Sequence, residues 1–253
     1  MPLHPALTLS LYSGVILISA LGGALVTAVR GLSGQTNSLL AFAAGVMLGA
    51  AFFHLLPEAL HQGGLAALPW VVGGFVALLL LERFAGAHAC EEPPDCPQHG
   101  HGLTLGLTAL LGLCAHTLFD GIALGASVSE GLGLTAVTAI TAHKLPSSLS
   151  LAAILKSEGK RLPTILRYVA ILALMVPLGA AVYYLLEGWL PLGAFSSRAL
   201  AFSSGTFLYI AVSDLLPRVS RHGRDRRLRH LFSLAVGLAM MGALSRLTGH
   251  THG

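Results

Sequence analysis

Charge is what this chain has least of: only 10% of its 253 residues are charged, against roughly 25% in soluble domains. Hydrophobic residues make up 54%, and the mean hydropathy is +0.75. Those figures exclude an ordinary soluble globule, and a chain this apolar with a net charge of only +4 is not intrinsically disordered. Cysteine is scarce too. Three residues, with Cys114 inside an apolar run, do not build a disulfide scaffold. No Lys or Arg precedes the first apolar run, which is also too long for a signal-peptide core, so a retained first span is expected. Neither an HExxH string nor an ATP-binding motif is present. Lysine is outnumbered by arginine three to twelve, a bias that points to a GC-rich genome and a bacterial inner membrane.

What the chain does have is apolar length. A hydrocarbon core of ~30 Å needs about 20 helical residues, and eight stretches reach that length: approximately 7–29, 36–60, 65–84, 103–129, 133–155, 163–187, 194–217 and 231–247. The breaks carry turn residues, among them Gly63-Gly64, Gly131 and Lys156 to Arg161. The expected fold is an all-α membrane protein, a single transmembrane domain over 1–253. It has a His-, Cys- and acid-containing loop at 85–102 and a basic loop at 218–230. Loops after odd-numbered spans hold Arg30, Arg83, Lys156, Lys160, Arg161 and the six arginines from 218 to 229. The other side has little beyond Arg198 and Arg246. The positive-inside rule then puts both termini outside the cytoplasm. The basic run beside a span reads as a topology signal with lipid headgroup contacts, and no nucleic-acid partner is expected.

One repeat is visible. Leu40 to Glu58 aligns with Leu200 to Arg218 at a constant shift of 160, with nine identities in nineteen positions, including Leu-Ala-Phe, a Gly and Leu-Leu-Pro. Apolar helices resemble one another by chance, but a shared register favours common ancestry. These are spans 2 and 7, which cross in opposite directions. The expectation is therefore an inverted repeat, spans 1–3 against 6–8, around central spans 4 and 5. That is the pattern of many transporters with a midplane site.

Ionisable residues inside spans cost a few kcal/mol on insertion scales, so each is a functional candidate. Span 4 contains Cys114-Ala-His116-Thr117-Leu-Phe-Asp120-Gly121, and span 5 contains His143-Lys144-Leu-Pro146-Ser147-Ser148. His116 and Asp120 are i, i+4 and share one helix face. Counted from the turn near Gly131, Asp120 lies roughly 15 Å deep and His143 roughly 16 Å, with His116 and Ser147 near 21–22 Å. Two imidazoles and a carboxylate at mid-membrane, with a hydroxyl or water in fourth position, suit Zn²⁺. Pro146 frees a carbonyl near Ala142 and allows a bend. The competing reading is that His116, Asp120 and His143 only hydrogen-bond one another as interhelical glue.

Eight spans with outside termini, a polar loop after span 3, HxxxDG in span 4 and HxxP in span 5 together resemble the ZIP family of divalent-metal transporters, over nearly the whole chain. The resemblance implies movement of zinc or iron toward the cytoplasm through a site between spans 4 and 5, by relative motion of helix bundles. It places His116, Asp120 and His143 on the family's metal ligands. Many members carry Asn or Ser after the span 4 His and HExPHE in span 5, making two adjacent sites. Here Thr117 stands at the first position, Lys144 in place of a second-site carboxylate, and Ser147 and Ser148 in place of a His and a bridging Glu. The HKxP form is similar to the ZIP9-like branch. A second site is expected to be lost, with Lys144 serving as a built-in charge or as a gate through a Lys–Asp pair that opens on metal binding.

His54 and Glu58, again i, i+4, are candidates for relaying a cation inward, with Asp214 receiving it on the inner side; Glu58 and His61 equally suit a helix end. In the 85–102 loop, His88, Cys90, Cys96, His99 and His101 are candidate metal collectors or a plain solvated linker, since Cys-x5-Cys is not a closed zinc spacing. His250 and His252 lie at the tail and read as a frayed end. The resemblance implies Zn²⁺ as the transported ion, with Fe²⁺, Mn²⁺ and Cd²⁺ as related cargo, and no cofactor is expected. Partners are the metal ion and the bilayer, and the chain is compatible with a homodimer. The rival functions are an intramembrane zinc-dependent hydrolase, which would need a general base and a resident metal, and a metal-gated receptor without flux.

Overall fold

The computed structural model describes residues 5–28, 36–84, 105–129, 131–186, 192–220 and 224–248. The 85–102 loop with its His and Cys candidates, residues 221–223 of the basic loop and the His250–His252 tail lie outside the described residues. Helices account for nearly all of the described chain, and no strand occurs among the described residues. That is what a backbone without water to bond to requires.

The elements are α1 (Pro5–Val26), α2 (Thr36–Ala50), a π-helical turn (Ala51–Leu55), α3 (Leu56–Gly63), a 3-10 turn (Gly64–Ala67) and α4 (Leu68–Phe84). After these come α5 (Leu105–Ser129), α6 (Gly133–Ser157), α7 (Leu162–Leu186), α8 (Leu192–Tyr209), a second π-helical turn (Ile210–Leu215), α9 (Leu216–Ser220) and α10 (Arg224–Thr248). Among the described residues, five segments are long and apolar enough to cross a membrane: Leu7–Val26, Thr36–Phe84, Leu105–Ser129, Leu162–Leu186 and Leu228–Leu247. Thr36–Phe84 is 49 residues long, and ~1.5 Å per residue gives it more than twice the ~30 Å core. It is interrupted at Gly64, whose φ of 57° is open to glycine at no steric cost. α6 falls short in hydropathy because His143, Lys144, Ser147, Ser148 and Ser150 occupy its middle, and all five are buried.

Packing pairs α5 with α7, α2 with α10, α1 with α6 and α4 with α8, and α2 also lies against α6. Small residues allow these approaches. At the α5–α7 crossing, Gly121 and Gly179 face each other, and a Cβ on Gly121 would run into the carbonyl of Val176. The core is correspondingly rich in Ala and Leu, including Ala41, Ala43, Ala44, Ala109, Leu113 and Leu151. α5 is buried along most of its length, whereas α4 and α10 show most of their apolar surface, the expected arrangement for a central helix among lipid-facing ones.

Both π turns stop just short of a proline, Pro57 and Pro217. A proline has no N–H to give to the carbonyl four residues back, and its ring pushes that carbonyl aside. The helix answers by widening for one turn: the N–H of Leu56 bonds to Ala51 O and that of Leu216 to Ala211 O, each five residues back. Phe53 O, four residues before Pro57, loses its helical donor and accepts from Ser245 Oγ of α10, while Ser204 Oγ of α8 adds a second bond to Ala51 O at 3.4 Å.

Candidate metal centre

Five candidates meet between α5 and α6: His116, Thr117 and Asp120 on the first helix, His143 and Lys144 on the second. The two helices are joined through Gly131, whose φ of 79° reverses the chain in a left-handed conformation suited to glycine. Asp120 lies eleven residues before that glycine and His143 twelve after it, so antiparallel packing sets them side by side. His143 Nε2 lies 3.2 Å from Asp120 Oδ2, and His116 Nε2, one turn back on α5, lies 3.4 Å from the same oxygen. One ligand atom from each of these three residues falls within 4.8 Å of the others, and all three residues are buried.

The dimensions bear on chemistry. Four ligands at ~2.0–2.1 Å from a tetrahedral Zn²⁺ are separated from each other by about 3.3 Å, and the two nitrogen-to-oxygen distances are 3.2 and 3.4 Å. A divalent ion would thus enter with little rearrangement along the two edges that meet at Asp120. His116 Nδ1 is buried with no hydrogen-bond partner among the described residues. The edge of one aromatic ring fixes the imidazole instead: Phe207 of α8 meets it at 4.9 Å between centroids. Phe207 was not among the sequence candidates. Its signal was present but weak, an aromatic in the repeat at the position of Met47.

Lys144 is 1% exposed and belongs to the same cluster. Its ammonium donates to Thr117 Oγ1 at 2.6 Å and lies 3.7 Å from Asp120 Oδ2. The expected Lys–Asp pair is therefore present in loosened form, with Thr117 as the nearer partner. His54, carried by the first π turn, places its ring 5.1 Å from that of His143, tilted by 43°. Ser147 is buried in the same stretch of α6, and its hydroxyl donates to the carbonyl of Lys144 at 3.0 Å, a bond that uses its proton and not its lone pairs. Ser148 and Ser150 do the same, bonding Leu145 O and Pro146 O. α6 continues as a helix through Pro146, and these hydroxyls satisfy themselves on its own carbonyls.

The remaining candidates lie apart. Glu58 accepts a hydrogen bond from Gln62 at 2.7 Å on its own helix, and Asp214 sits in the second π turn, outside the three-residue cluster. Cys114 is partly buried and free.

A family model described as "ZIP Zinc transporter" matches residues 87–245. Among curated proteins, the chain is similar to zinc transporter ZIP9-B of Xenopus laevis, 31% identical over 199 residues covering 72% of this chain and 65% of the relative. It is also similar to zinc transporter SLC39A7 of Homo sapiens, 26% identical over 297 residues covering 83% of this chain and 63% of the relative. The chain spans just under two thirds of the length of these relatives.

Proposed function

Because the chain belongs to the ZIP zinc transporter family, we propose that it moves Zn²⁺ across the membrane into the cytoplasm, through a single midplane site formed by His116, Asp120 and His143. The observation that carries this reading is the convergence of two buried imidazole nitrogens on one carboxylate oxygen, at 3.2 and 3.4 Å, between two neighbouring helices. Glue alone accounts for the contact, but it does not account for two histidines directed at the same oxygen while a buried ammonium stands beside it. Fe²⁺, Mn²⁺ and Cd²⁺ satisfy the same donor set less selectively. Inward passage of a divalent ion gains about 4.6 kcal/mol per 100 mV, inside negative, so the membrane potential suffices as a driving force.

The transporter reading includes eight spans built as an inverted repeat, and the helix pairing supports it. Exchange spans 1–3 with 6–8, and 4 with 5. The α2–α10 pair then becomes the α8–α4 pair, and the α5–α7 pair becomes the α6–α1 pair, so that the four principal contacts map onto one another. The two π turns fall on aligned residues at the shift of 160, and His54 and Asp214 occupy the same place in each. In this reading His54 hands the ion to His143 from the outer side and Asp214 takes it on the inner side, with Glu58 at the outer entrance. Lys144 stands where relatives of the other kind carry a second-site carboxylate, and its charge keeps the centre mononuclear. Both termini lie outside the cytoplasm, and the active assembly is compatible with a homodimer.

His143→Ala is expected to abolish zinc uptake into membrane vesicles while the protein still purifies as a folded species. Uptake equal to that of the parent protein sinks the site assignment.

A further inference from the structure

The buried ammonium of Lys144 has two acceptors within reach, and the geometry separates them: 2.6 Å to Thr117 Oγ1 against 3.7 Å to Asp120 Oδ2. We propose that Thr117 is a positioning residue for metal binding, its hydroxyl holding Lys144 off Asp120 so that Oδ2 stays open to the cargo. The inference rests on the reading that His116, Asp120 and His143 bind the metal.

Thr117 follows His116 directly and precedes Asp120 by three residues, so its hydroxyl and the carboxylate lie on adjoining positions of one helical turn facing α6. Both Thr117 and Lys144 are 1% exposed, so the ammonium is shielded from bulk solvent. A buried cation must be paired and hydrogen-bonded. At this site it satisfies that need chiefly through a neutral oxygen, which attracts it strongly but takes nothing from the carboxylate.

Remove the hydroxyl and Asp120 becomes the nearest acceptor. The ammonium would then close from 3.7 Å to a direct charge-assisted bond at about 2.8 Å, on the same oxygen that both imidazoles face. An arriving divalent ion would have to break that ion pair first. The net charge of the site is unchanged by the substitution. Only the position of one charge differs, and this sets the inference apart from any effect of Lys144 acting merely as a repelling cation.

The test is a zinc titration of the purified full chain by isothermal calorimetry. Thr117→Val is expected to weaken zinc binding by about tenfold or more, Thr117→Ala to do the same without an added methyl, and Thr117→Ser to bind like the parent. Lys144→Met is expected to bind zinc more tightly, and in that background Thr117→Val should change affinity by less than about twofold. Two results overturn the proposal. One is Thr117→Val and Thr117→Ala binding within twofold of the parent; the other is an equal loss in the Lys144→Met background, which would mark a structural role for the hydroxyl. A parent protein whose zinc binding is absent, or survives His143→Ala unchanged, instead overturns the site assignment on which the proposal stands.

Discussion

Asp120 Oδ2 has three nitrogens within 3.7 Å, from His116, His143 and Lys144, in a region closed to solvent. Asp120→Asn keeps the shape and removes the charge, leaving the Lys144 ammonium with only neutral partners. Stranding a buried charge costs about 3–5 kcal/mol, so the variant is expected to melt at lower temperature in detergent than the parent. Adding Lys144→Met should recover most of the loss without recovering zinc binding. A melting curve of Asp120→Asn that overlays the parent would mean the ammonium is not held by this carboxylate. At this scale the sequence was informative where spacing determines position. The i, i+4 pair and the equal count from Gly131 bring His116, Asp120 and His143 together. It was silent where about an ångström decides: no pattern in the chain says that Lys144 prefers Thr117 to Asp120, or that Ser147 turns its hydroxyl to its own backbone.

The two π turns are the elements that apolar periodicity does not reveal, because a run of hydrophobic residues reads the same whether the helix has 3.6 or more residues per turn. Their cause is nonetheless written in the chain, in His54-Leu-Leu-Pro57 and Asp214-Leu-Leu-Pro217, where each proline removes an N–H from the helical ladder. The wider turn carries His54 to within 5.1 Å of the His143 ring. Pro57→Ala restores the missing donor and allows the helix to regularise, which rotates His54 relative to His143. The expected outcome is slower zinc uptake with the protein still folded, measured as initial rate in proteoliposomes at equal protein content. An unchanged rate would remove His54 from the pathway. Helix extents followed apolar length well at α5 and α7, whereas α6 fell short in hydropathy because polar residues, His143 to Ser150 among them, occupy its middle.

Across the molecule, polar and charged groups are few and their placement is economical. Among the described residues the buried interior keeps Asp120 and Lys144 side by side, next to the two histidines. On the proposed inverted repeat, the four principal helix pairs correspond to one another under exchange of the two halves, in keeping with the nine identities between residues 40–58 and 200–218. Pairing of helices was not legible beforehand, because in lipid it depends on close approach at glycines such as Gly121 and Gly179 and not on any hydrophobic stripe. The most direct test of the whole account is zinc uptake into sealed proteoliposomes holding the protein in known orientation, with an imposed membrane potential. The account predicts saturable uptake toward the cytoplasmic side that grows with inside-negative potential and disappears in His143→Ala. Uptake no faster than in protein-free vesicles, or indifferent to that substitution, would contradict it.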